Sequence, residues 1–150
     1  ETTRTLASDL NPPVKNSLWD TLEWLAIHMQ EAHGLSVEMR AQGVERTTSR
    51  NLRILVVRLV RELLFNVAKH AGTDEATLRL EGGEHGLYVS VEDDGEGVDS
   101  DCFREHEEGL GLTSVRRRIR MAGGTFDVET TPVEGTRVRL GLPYREAEND

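Results

Sequence analysis

A chain of 150 residues with 37% hydrophobic and 30% charged side chains fits one compact domain with a real core, and it is too apolar for wholesale disorder. Its net charge of -9 argues against a general nucleic-acid binder, which needs a basic footprint, although a buried phosphate pocket would not show in that total. Cys102 is the only cysteine, which excludes an intrachain disulfide and a Cys-based zinc site and makes a reducing cytoplasm the expected compartment.

In chain order, Leu6 and Leu10 sit four apart on a segment that Pro12 and Pro13 must end, the expected tail of a helix. The opening Glu-Thr-Thr-Arg-Thr lacks a secretory signal, and the expectation is a piece of a longer protein. No apolar run approaches the roughly 18 residues of a membrane span, so no direct membrane contact is expected. A helix is predicted from about Lys15 to His33, with Leu18, Leu22, Leu25 and Met29 on one stripe and Gly34 as its stop; Trp19 and Trp24 read as packing residues. Leu35 to Arg40 alternates as a strand with one wet face. After a polar loop through Ser49 comes the central helix, where Leu52, Leu55, Val56, Leu59, Val60, Leu63, Leu64 and Val67 recur at three- and four-residue steps.

Ala76, Leu78 and Leu80 then alternate with polar residues, Gly82, Gly83 and Gly86 supply a turn, and a second alternating run follows, which predicts a hairpin. In that run Leu87, Val89, Val91 and Asp93 share the inner face, whereas Tyr88, Ser90, Glu92 and Asp94 share the wet one. Glu92 to Glu108 is acidic and aperiodic. A helix is expected from Thr113 to Met121, then a strand with Phe126, Val128 and Thr130 on one face, a turn from Thr131 to Gly135, and a last strand in which Thr136, Val138, Leu140 and Leu142 point inward. Five one-sided strands and three substantial helices predict an α+β fold, a two-layer sandwich whose mixed, mostly antiparallel five-stranded sheet is covered on one face by helices.

Four places can carry chemistry. Taking about 100° per residue, Glu62, Asn66, Lys69 and His70 fall within an arc of roughly 100° at one edge of the apolar stripe, pointing into a crevice. An acid, an amide and a base there can hold a hydrated divalent cation and the phosphates it neutralises; the same stretch also reads as an amphipathic helix with a mixed flank. Asp93, aimed inward, needs donors, and Gly95 and Gly97 let a flat ligand approach bare backbone, an arrangement suited to an exocyclic amine such as that of adenine; a simple turn reads there as well. Gly109-Leu110-Gly111-Leu112 opens a helix whose free N–H groups suit an anion, or is a plain hinge. Gly135-Thr136 precedes the final strand.

In this order the four places closely resemble the ATP-binding domain of the gyrase, heat-shock chaperone, histidine kinase and mismatch-repair superfamily, known as the Bergerat ATP-binding fold. Asn-Val-Ala-Lys-His-Ala at 66–71 and Leu10-Asn11-Pro12-Pro13 upstream are similar to bacterial sensor histidine kinases of the branch with nitrate and membrane-fluidity sensors. The resemblance implies residues 1–14 as the tail of a dimerisation helix with its linker, 15–143 as the catalytic ATP-binding domain and 144–150 as a charged tail. It implies ATP and Mg²⁺ as cofactors, with Asn66 on the metal, Lys69 and His70 near the phosphates, Asp93 on the adenine amine and Gly95 and Gly97 beside the base. It further implies a mobile lid from Val98 to Glu108, Gly109, Leu110, Gly111 and Leu112 at phosphate, Thr136 supporting Asp93, and Glu62 polarising a water or orienting the acceptor. The partners implied are a dimerisation and phosphoacceptor domain and a response regulator, not nucleic acid, within a homodimeric parent.

One departure matters: His28, His33, His85 and His106 each lack the setting of a phosphoacceptor and read as surface or packing residues, so the acceptor is expected outside this chain. Arg116, Arg117, Arg118 and Arg120 read as a solvated or partner-facing helix surface. Two other functions fit the same residues, an anti-sigma serine kinase and a nucleotide-sensing interaction module without transfer activity.

Overall fold

Ser17 starts the first helix, since its hydroxyl accepts the Asp20 N–H at 3.0 Å and so satisfies one of the free donors of the opening turn. The computed structural model describes residues 17–43, 48–70, 72–95, 112–131 and 135–144. Helix α1 (Leu18–His33) ends at Gly34, whose φ of 70° and N–H to the Gln30 carbonyl close the last turn. The predicted tail of a preceding helix and the charged residues from 145 onward lie outside the described residues.

Strand β1 (Ser36–Gln42) leads to α2 (Arg50–His70), where the Ser49 hydroxyl accepts the Leu52 N–H at 3.1 Å. The hairpin of β2 (Glu75–Gly82) and β3 (Gly86–Asp93) follows, then α3 (Leu112–Met121), β4 (Thr125–Thr131) and β5 (Gly135–Pro143). The sheet order is β1-β2-β3-β5-β4; β1 runs parallel to β2 and every other pair is antiparallel. The expected mixed sheet is therefore present, with the last strand inserted between β3 and β4. Among the described residues the three helices cover one face, as the buried sets of all three join one core with the inner residues of the strands.

That core is built by the stripes read above. Leu22, Leu25, Leu59, Leu64, Leu78, Leu80, Leu87, Ile119 and Leu140 are all at most 1% exposed. Trp19 and Trp24 pack partly buried against it. The other sheet face carries charge pairs: Arg79 donates to Glu92 at 3.1 Å, and Arg139 lies over the Tyr88 ring at 4.6 Å. One residue departs from its expected wet position. Ser90 is 5% exposed although it belongs to that face, because its register neighbours are Arg79 and Arg139, whose long stems outreach its small side chain.

Candidate nucleotide site

Register builds one end of the site. Val91 faces Val138, which faces Val128, giving an apolar row across β3, β5 and β4. Two residues further along, Asp93 faces Thr136, which faces Thr130. The side-chain period of two keeps this row on the helix-covered face. It is the row where that face turns polar.

Asp93 is placed as its alternation predicts. Its carboxylate accepts the Gly95 N–H at 2.9 Å, and the Thr136 N–H also donates to it. Burial raises its pKa above the ordinary aspartate value; those two N–H groups pull it back, and neighbouring Asp94 pushes it up again. Asp94 is exposed, as expected, with its carboxylate at the limit of reach from the Thr73 hydroxyl, 3.5 Å. The Thr136 hydroxyl lies 2.9 Å from that of Thr130.

Gly135 makes this junction possible. Its φ is 87°, and a Cβ there would stand 2.1 Å from the Asp93 carbonyl oxygen and 2.8 Å from the Asp94 Cα. Only a residue without a side chain lets β5 begin against the end of β3.

Helix α2 supplies the other side. Glu62 and Asn66 are half-buried, and the Asn66 Nδ2 is a buried donor with no hydrogen-bond partner. Such a donor costs free energy until an acceptor reaches it. Lys69 departs from the crevice geometry expected of it: it is exposed, with its ammonium over the Phe65 ring at 4.7 Å from the centroid. The aromatic face one turn back attracts the cation along the helix surface. The His33 ring meets Phe65 edge-on, with centroids 5.3 Å apart, so the end of α1 backs the same platform. His70 ends α2. Leu112 is buried at the first position of α3, whereas Gly97, Gly109, Leu110, Gly111 and the expected lid lie outside the described residues.

The histidines behave as packing or surface groups where described. His28 stacks on Trp24 at 5.2 Å, and His85 lies exposed in the β2–β3 turn. Of the arginines on α3, Arg116 lies over the Phe126 ring and Arg117, Arg118 and Arg120 are exposed. A hollow of about 600 Å³ at the same end of the sheet is lined by Asp93 and Thr136 but also by Glu38, Glu92 and Glu129. Those carboxylates belong to the helix-free face, and neither Glu62, Asn66 nor Lys69 borders the hollow.

Thr130 and Phe65 were not singled out by spacing. The one trace of Thr130 in the sequence is a polar residue on the inner face of a strand that is otherwise Phe126 and Val128.

Residues 51–146 match the family described as histidine kinase-, DNA gyrase B-, and HSP90-like ATPase, and the chain belongs to that family. Among curated proteins it is 33% identical over 115 residues to the signal transduction histidine-protein kinase/phosphatase UhpB of Salmonella typhimurium strain LT2, covering 77% of this chain and 22% of that protein. It is 40% identical over 93 residues to the sensor histidine kinase NarS of Mycobacterium tuberculosis H37Rv, covering 61% of this chain and 22% of the relative. The chain thus spans less than a quarter of either protein. The histidine kinase domain of the blue-light activated histidine kinase of Erythrobacter litoralis EL346 superposes with a TM-score of 0.67 at 25% identity, over 91% of this chain and 72% of that one. The resemblance to a histidine kinase ATP-binding domain and the two-layer fold it implies are both borne out. Among the described residues no helix is long and apolar enough to cross a membrane.

Proposed function

We propose that this chain binds Mg-ATP and donates the γ-phosphoryl group to a histidine on a dimerisation domain outside it, as the catalytic part of a cytoplasmic two-component sensor kinase of the nitrate- and fluidity-sensor branch. Residues 15–143 form the ATP-binding unit. The parent protein is a homodimer that passes the group on to a response regulator. One observation carries the reading: Asp93, inward-facing and partly desolvated, is held by two backbone N–H groups at the polar end of the core face. A carboxylate so placed accepts from an exocyclic amine, and Gly95 beside it leaves backbone free for a flat ring.

The nucleotide lies on the helix-covered side of the sheet, because the exposed carboxylates of Glu38 and Glu129 on the other side repel phosphate and the Glu92 carboxylate there occupies Arg79 and Arg137. Its phosphates extend toward α2. There the unpartnered Asn66 amide, which offers both an acceptor and donors, would hold the metal-phosphate group. Asn66 would be a protein contact of the ion, with phosphate and water completing the shell, since Mg²⁺ takes few protein oxygens and keeps several waters. Mg²⁺, when bound, neutralises charge on the transferring group.

Lys69 leaves the Phe65 ring to reach phosphate, and His70, Gly109, Leu110, Gly111 and Leu112 are assigned to phosphate by the resemblance of their motifs. Glu62 orients the acceptor imidazole and takes its proton as the new P–N bond forms and the bond from phosphorus to the leaving ADP oxygen breaks. The test is calorimetric titration of the chain with ATP and magnesium, beside Asp93→Ala. Loss of the carboxylate should weaken binding about 10- to 100-fold, the usual worth of a hydrogen bond to a charged group. No measurable heat with the parent chain, or unchanged affinity in the variant, sinks the reading.

A further inference from the structure

We propose that the outer faces of α1 and α3 are the two halves of a contact between copies of this chain. The acidic face of α1, centred on Ile27, docks on the basic face of α3 of a second copy, centred on Met121, and a two-fold axis makes the same contact twice. The occupant is a second copy because one chain carries both complementary faces. The contact needs no nucleotide, so it goes beyond the reading above and stands apart from it.

The two helices are segregated by charge. Helix α1 carries Asp20, Glu23 and Glu31 and no Lys or Arg, whereas α3 carries four arginines and no Asp or Glu. Among the described residues three large hydrophobic side chains are exposed, and two of them stand on these helices, Ile27 at 55% and Met121 at 80%. The third, Tyr88, has the Arg139 guanidinium over its ring. Helical spacing puts each of the two inside a charged stripe. At about 100° per residue, Glu23 and Glu31 lie one turn to either side of Ile27, with Asp20 in line a further turn back. Arg117 and Arg118 flank Met121 from one turn back. The buried positions, Leu22, Leu25 and Met29 on α1 and Val115 and Ile119 on α3, fall on the far side, toward the core.

The ion pairs among the described residues lie on the sheet and in the β2–β3 turn, and none uses Asp20, Glu23, Glu31, Arg117 or Arg118. An apolar side chain inside a polar rim, with Met and Arg at its centre, is the composition of a protein interface. The net charge of -9 repels a second copy at long range, but physiological salt confines that field to about 8 Å, so the facing stripes decide the contact. Helix α2 packs against both α1 and α3, and all three cover the same sheet face. Both stripes therefore look away from that sheet, and one partner turned through half a revolution meets both at once. Two apolar anchors and a set of exposed ion pairs make a weak contact. In the homodimeric parent proposed above, the tether between copies raises their effective concentration to the millimolar range, where a weak contact forms.

The experiment is sedimentation equilibrium of this chain without nucleotide, at about 0.1 M and about 1 M salt, between which the Debye length falls from about 10 Å to about 3 Å. The expected result is a monomer–dimer equilibrium with a dissociation constant on the order of 0.1 mM at the lower salt, weakened about tenfold at the higher. Reversing the charge of α3 by Arg117→Glu with Arg118→Glu, or of α1 by Glu23→Arg with Glu31→Arg, should weaken the dimer about tenfold or more. Mixing the two reversed chains should restore it, because each then meets its complement at both contacts. All four positions are exposed, so the reversed chains should melt close to the parent; Met121→Ser, which removes the apolar anchor of α3, serves if a reversed chain does not fold and should weaken the dimer as well. A chain that stays monomeric throughout overturns the proposal and leaves the two faces to a different protein. Dimers untouched by either reversal, or not restored on mixing, overturn it too, and species that grow beyond the dimer overturn the two-fold closure. None of these outcomes bears on the calorimetric test of ATP binding, so the two readings fall separately.

Discussion

At the scale of single residues, Asp93 ties stability to pH. Its folded pKa lies above the ordinary aspartate value because burial disfavours the charge more than its two N–H partners restore it. The native chain therefore keeps this proton at pH values where the unfolded chain has lost it. The stabilising contribution is present below the unfolded pKa and is lost as pH rises through the interval up to the folded one. Asp93→Asn removes the titration while keeping an acceptor oxygen for Gly95 and Thr136. We expect the variant to melt higher than the parent at neutral pH, with the difference shrinking on acidification through that interval, even as nucleotide binding is lost. Melting curves across the range check it, and a variant less stable at neutral pH than the parent contradicts it. The inward aim of Asp93 was legible from alternation alone, because strand parity leaves a side chain only two directions. The resting place of Lys69 was not, since it depends on a neighbouring ring and a rotamer that spacing does not specify.

Among the elements, β5 is the one on which the site depends. Gly135 brings its first residue within van der Waals reach of the backbone at the end of β3. Gly135→Ala places a methyl group against the Asp93 carbonyl and forces a positive φ on an L residue, so the start of β5 must withdraw. The expected cost is about 2 kcal/mol or more in denaturant unfolding, together with weakened nucleotide binding, because Thr136 moves away from Asp93. A variant that loses stability yet binds as the parent does would separate the two. The Gly135-Thr136 pair was visible as a motif; its reason was not, because the clash is with a residue 42 positions earlier in the chain, and only strand pairing brings them together. Helix ends were closer to legible. Gly34 stops α1 as expected, while its start falls at Leu18 after the Ser17 cap and not at Lys15.

At the scale of the whole fold, one core lies under three helices among the described residues, and the residues facing it were nearly all readable from periods of two and three to four. Leu78 is fully buried on a central strand, and Leu78→Ala should cost about 2–5 kcal/mol, read from chemical unfolding followed by both far-ultraviolet circular dichroism and tryptophan fluorescence. The two transitions should coincide, because Trp19 and Trp24 pack on the same core that Leu78 fills. Separate transitions would mean that α1 unfolds apart from the sheet. What periodicity could not supply is strand order. Nothing in the pattern of the last two strands says that β5 pairs with both β3 and β4, since the hydrophobic alternation of a strand is the same whichever neighbours it takes. That order also governs the timing of biosynthesis. A chain leaving the ribosome has made β3 and β4 before β5 exists, so the row of Asp93, Thr136 and Thr130 is missing its middle member until residues 135–143 have been translated and threaded between them. Under the proposed function, nascent protein would be blind to nucleotide until its sheet is complete.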